Sequence, residues 1–162
     1  MKYLLFYIAI PLLSVNLIIT DIRNNYKEAV TSESKANSFN NDLKNVTKSD
    51  DKRLVAYKGA ALTLTARYQK TAKEKSTSFK KGVEWVEYAI SKKPLDLEVR
   101  FVRLSIQQNS PKFLGYNKEI EEDKKYILTN FNTIRSKEFK EYLKSYILDS
   151  KKFSEEEKSM IN

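Results

Sequence analysis

In this 162-residue chain, which contains no His and no Cys, the side chains left to do chemistry are chiefly arginines and carboxylates. That composition removes thiol nucleophiles, disulfides, imidazole general bases, Ser-His-Asp triads and the common zinc and copper ligand sets together. It also removes the Cys that a lipidated envelope protein needs. What remains is one stripe and one run. Asp96, Arg100, Arg103 and Gln107 are spaced so that on a helix they stack along one edge. Glu119, Glu121, Glu122 and Asp123 form an acidic run. A hydrolase working with carboxylates alone needs a pair about 5 to 10 Å apart in a cleft, whereas an acidic run at a helix start also follows from dipole compensation. Asp123 differs from its neighbours because it shares a helix face with Ile120, Ile127 and Phe131. A carboxylate facing a core needs a cation, and Arg100 and Arg103 are the obvious partners.

Two readings follow. Arg100, Arg103 and Gln107 could meet a partner, together with exposed aromatics such as Tyr116, Tyr142 and Tyr146. Alternatively, Asp96, Arg100, Arg103 and Asp123 form an internal polar network that fixes helix register. The second is favoured, because every member can be satisfied internally. No pattern calls for a catalytic residue, a metal or a cofactor.

The element that must position the stripe runs from Leu97 to Gln108. Leu97, Phe101 and Leu104 make one apolar face, and Val99, Val102 and Ile106 make another. A helix apolar on two sides packs on two sides, so it should be the central helix of a layered stack. Three Gly and three Pro in the whole chain leave too few turns for a strand-rich protein. The expected fold is all-α, an irregular stack of antiparallel helix pairs, with about seven helices after an N-terminal export segment.

The other elements follow from spacing and caps. Ile22, Tyr26, Ala29 and Val30, then Ala36, Phe39, Leu43 and Val46, predict two amphipathic helices with a turn at Thr31 to Ser34. Leu54, Tyr57, Ala61, Leu64 and Tyr68 predict a third, in which Gly59 and Ala60 mark a close helix crossing. Gln69 to Thr77 reads as a charged loop. Phe79, Val83, Val86 and Ile90 give the next buried face, ended by Pro94. Asp96 should cap the central helix. Ser110-Pro111 should open a single turn closed at Gly115, and Asn117 should cap a helix to about Phe131. Ser136 starts a helix with Phe139, Tyr142, Leu143, Tyr146 and Ile147 on one face, and Ser154 with Glu157 matches a capping box.

Met1 to Thr20 carries one Lys and then a nearly continuous apolar run, a signal-peptide pattern. Pro11 and the shortness of the run favour cleavage over an uncleaved anchor, although Ile18 and Thr20 make a poor cleavage end. The division expected is residues 1–20 for export, 21–48 as a polar helical segment and 49–162 as the core domain, with the body outside the cytoplasm. The net charge of +9 invites an anionic partner. Yet 24 of the 30 basic residues are Lys, spread with Glu and Asp along the chain. With no basic stripe, a nucleic-acid partner is disfavoured, and membrane contact reduces to the N-terminal segment or weak electrostatics.

The order Ala89, Pro94, then Leu97-Glu98-x-Arg100 resembles the seam between successive tetratricopeptide repeats, which implies a TPR-like α-α superhelix; the alternative is an orthogonal bundle. The runs Tyr57 to Ala60, Pro94 to Gln107, Ser110 to Leu114 and Asp123 to Ile127 together resemble a family of small exported bacterial helical proteins. That resemblance implies an exported helical fold and carries no activity. The function expected is a non-enzymatic module that binds another envelope protein or a peptide in a groove between helix pairs. A carboxylate-only hydrolase and a cationic binder of anionic lipid or polysaccharide are the alternatives.

Overall fold

The computed structural model describes residues 11–161, with side chains from Ile19 onward; the first half of the expected export segment lies outside these residues. The described residues form eight α-helices: α1 Pro11–Ala29, α2 Glu33–Asp42, α3 Lys52–Thr65, α4 Ala72–Lys92, α5 Leu97–Asn109, α6 Ile120–Asn130, α7 Lys137–Asp149 and α8 Glu155–Ser159. Single 3-10 turns follow α3, α5 and α6. Among the described residues no helix is long and apolar enough to cross a membrane.

Local chemistry explains most of the helix starts. The hydroxyls of Ser32, Ser136 and Ser154 and the carboxylates of Asp51 and Asp96 accept from the first free amides of α2, α7, α8, α3 and α5. Thr71 and Glu74 form a reciprocal capping box. That box overturns the expected charged loop at Gln69 to Thr77, because it satisfies two end amides and lets α4 begin at Ala72 without apolar residues. Asn117 is likewise not a cap. The helix after Gly115 begins at Ile120, and Glu119 precedes it with no side-chain cap bond. Gly115 has φ 68°, the left-handed conformation that glycine adopts without a Cβ penalty, and closes the turn Lys112–Leu114.

α3 and α4 form an antiparallel pair that touches through backbone. A Cβ placed on Gly59 would lie 2.6 Å from the Gly82 carbonyl oxygen, and one on Gly82 would lie 2.6 Å from that of Gly59. Only glycine at both positions permits this approach. The gain is that Val55, Ala56, Ala60, Ala61, Val86 and Ala89 are all buried at essentially zero exposure around it.

α5 sits at the centre. Every residue from Glu98 to Gln108 is buried, polar ones included. Phe101 meets Phe139, Tyr142 and Tyr146 of α7 edge-on at 5.0 to 6.1 Å. On other sides α5 packs against α3, α4 and α6, and it bonds to α1 through Arg23 and Tyr26. A contact between the first and fifth helices exceeds the nearest-neighbour packing of a repeat array. Residues 21–48 do not stand apart either. Ile22, Tyr26, Ala29, Ala36, Phe39 and Leu43 belong to the same core as the later helices, because the few apolar groups of each helix fall on one stripe. Val30, expected on that stripe, is instead 50% exposed.

Candidate functional site

Among the described residues two clusters of buried charge meet at α5, and a further buried cation, Lys124, pairs with Glu157 at 2.8 Å. In the first, Asp123 is completely buried and takes both arginines of the α5 stripe. Arg103 grips it with two bonds, Nε to Oδ2 at 2.7 Å and Nη2 to Oδ1 at 2.8 Å. Arg100 adds Nη1 to Oδ1 at 2.8 Å, reaches Glu122 at 2.9 Å, donates Nε to the Pro94 carbonyl at 2.6 Å, and lies over the Tyr126 ring. Arg103 also approaches Glu87 at 3.4 Å, and Glu87 accepts the hydroxyl of Tyr116. Gln107 donates to Glu119 at 2.7 Å.

Electrostatics follow from these contacts. Burial is the largest influence on Arg103 and works against its charge, but the bonds it donates to Asp123, together with the negative charges of Asp123 and Glu87, outweigh it and hold the guanidinium pKa above its usual value. Arg100 holds the Glu122 carboxyl below the usual glutamate range. Burial, reinforced by the bond to Glu87, pushes the Tyr116 phenol well up.

The second cluster joins α1, α3 and α5. Arg23 forms a two-bond pair with Glu98, at 2.7 and 2.8 Å, and Tyr57 donates to the same carboxylate at 3.0 Å. Glu98 is 3% exposed. The sequence pattern places Glu98 in the first turn of the central helix and does not single out Arg23. A signal was present: Arg23 is four residues after Ile19 and three before Tyr26, on the apolar stripe of α1.

The expected site residues therefore separate. Asp96 caps α5 by accepting from the amides of Glu98 and Val99, apart from the carboxylate that the arginines share. Arg100, Arg103 and Gln107 face internal acceptors. Tyr116 packs edge-on against Phe79. Tyr142 and Tyr146 are half-buried, and Tyr146 donates to Gln108 at 2.9 Å. Of the acidic run, Glu119, Glu122 and Asp123 are engaged by α5, and Glu121 lies 3.9 Å from Lys124. Among the described residues no group of three or more carboxylates is arranged to hold a metal ion.

Open space lies elsewhere. Where α1, α3, α5 and α7 end and α4 begins, there is a trough of about 480 Å³. Leu64, Ala66, Phe79 and Ile106 contribute to its lining, as do the exposed Val30 and Phe113. A second hollow of about 340 Å³ continues it past Tyr142 and Asp149, and the two share Tyr26, Val30, Ser105, Asn109 and Tyr146. The polar groups here are mostly committed. Tyr26 and Ser105 bond to each other at 2.8 Å, Thr63 donates to the Ala60 carbonyl, and Asn109 and Ser110 donate to the last turn of α5. Burial pushes the Tyr26 phenol upward, against the nearby Arg67 charge and the Ser105 bond.

Fold and site together define an all-α bundle wrapped around one buried polar-and-apolar helix, with an apolar trough at one end. The chain matches no family model, no curated protein and no solved structure.

Proposed function

We propose that this is an exported, non-enzymatic interaction module of the cell envelope that takes an apolar segment of a partner protein into the trough between α1, α3, α4, α5 and α7. One observation carries the reading. The interior charges are bound to one another, while a concave and mostly apolar surface stands open at the trough, where Phe113 is 86% and Val30 is 50% exposed. Concave, mostly apolar clefts of a few hundred Å³ are the usual sites of ligand capture. Export rests on the Met1 to Thr20 pattern.

A photo-crosslinking amino acid placed at Phe113, and separately at Leu95, tests this in cells. Leu95 is 70% exposed but lies outside the trough. Protein adducts are expected at position 113 in the envelope fraction and not at position 95. Adducts equal at the two positions, or absent at 113, would overturn the reading.

A further inference from the structure

We infer that the trough's occupant is an amphipathic helix with an apolar face flanked by carboxylates. This deepens the interaction reading above and rests on it. The argument begins with the polar groups lining the trough. Because Tyr26, Thr63, Ser105, Asn109, Ser110 and Tyr146 already have internal partners, the walls offer little to a strand that must hydrogen-bond its own backbone. A helix brings its backbone already paired and asks only for apolar contact.

Charge decides the flanks. Arg67 and Lys75 stand at the larger hollow, and Lys27 and Lys152 at its continuation. All four are exposed, and none takes part in an ion pair among the described residues. The sole carboxylate lining either hollow is Asp149. Lys27 lies in the last turn of α1, where the helix dipole accounts for a cation, but Lys75 lies near the start of α4, where the dipole disfavours one. A fatty acid would place one anionic head at one end and leave the other pair of cations unanswered. Carboxylates spaced along a helix, beside its apolar face, answer both pairs.

The test uses the full chain and two dye-labelled synthetic helices with the same leucine face, one flanked by Glu and one by Lys. Fluorescence anisotropy at low salt should show the Glu-flanked helix binding about tenfold tighter, with the advantage lost at high salt. The double variant Arg67→Glu/Lys75→Glu should reverse the preference. Ala72→Trp, at an exposed position on the trough wall, should weaken both helices. Equal binding of the two helices, with Ala72→Trp still weakening both, overturns the charge inference and leaves the trough reading standing. Binding that ignores Ala72→Trp sinks the trough reading itself. Uptake of oleate with neither helix bound assigns the trough to an acyl chain and overturns the inference.

Discussion

The buried networks around α5 and the rim of the trough use similar side chains to opposite ends. Inside, Arg23, Arg100 and Arg103 are almost fully buried and each is matched to a carboxylate at 2.7 to 2.8 Å. At the rim, Arg67, Lys75, Lys27 and Lys152 stand in solvent without an ion pair among the described residues. The difference lies in solvation. A guanidinium removed from water needs a fixed anion, so each internal pair ties two helices in one register. A cation left in water costs nothing to keep single, and it stays available to a partner.

That contrast breaks most directly at Asp123. Asp123→Ala leaves Arg100 and Arg103 buried without their shared anion and should cost roughly 3 to 5 kcal/mol, read from urea denaturation. Glu98→Ala should cost a similar amount, since it strands Arg23 and Tyr57 together. A midpoint unchanged in either variant would mean that water reaches these guanidiniums and that interior and rim do not differ. The next largest effect sharpens the claim that the interior tolerates no adjustment. Gly59→Ala drives a methyl into the Gly82 carbonyl and should destabilise by about 1 to 3 kcal/mol as the helices are forced apart.

At the rim the expectation reverses. Arg67→Ala and Lys75→Ala should each change stability by no more than about 0.5 kcal/mol, and a larger loss by thermal melting would make them structural residues. The smallest effect tests the border between the regions. Glu122 bonds Arg100 from outside, its side chain 64% exposed, and its carboxyl titrates below the usual range. A depressed carboxyl pKa adds stability that is complete above the unfolded value of about 4.5 and disappears as pH falls through the lowered folded value. Solvent screens the pair, so Glu122→Gln should flatten the acid limb of the stability curve by at most about 0.5 kcal/mol.

Much of the interior was legible. Periodicity found the faces of α5 and α7 and that of α3 except for Tyr68, which falls in the turn after it and is 37% exposed, and small residues at Gly59 and Ala60 pointed to a close helix crossing, which the structure makes with α4. Asp123 showed itself by standing on an apolar stripe, which narrowed its partners to the nearest cations. The misses have physical causes. α4 begins in a segment without apolar residues because a reciprocal cap, not burial, holds its first turn. Arg23 and Glu98 lie 75 residues apart, and each looks ordinary in its own helix. The trough could not be read at all, since its lining comes from the ends of several helices and exists only once they converge.

The sequence by itself determined an all-helical chain with a central helix greasy on two sides, and it removed thiol and imidazole chemistry, because periodicity and residue inventory are local facts. Only the tertiary structure decided which charges are spent on one another and which remain free. Burial and distance belong to pairs of residues brought together by folding, and the energy of a charge depends on both.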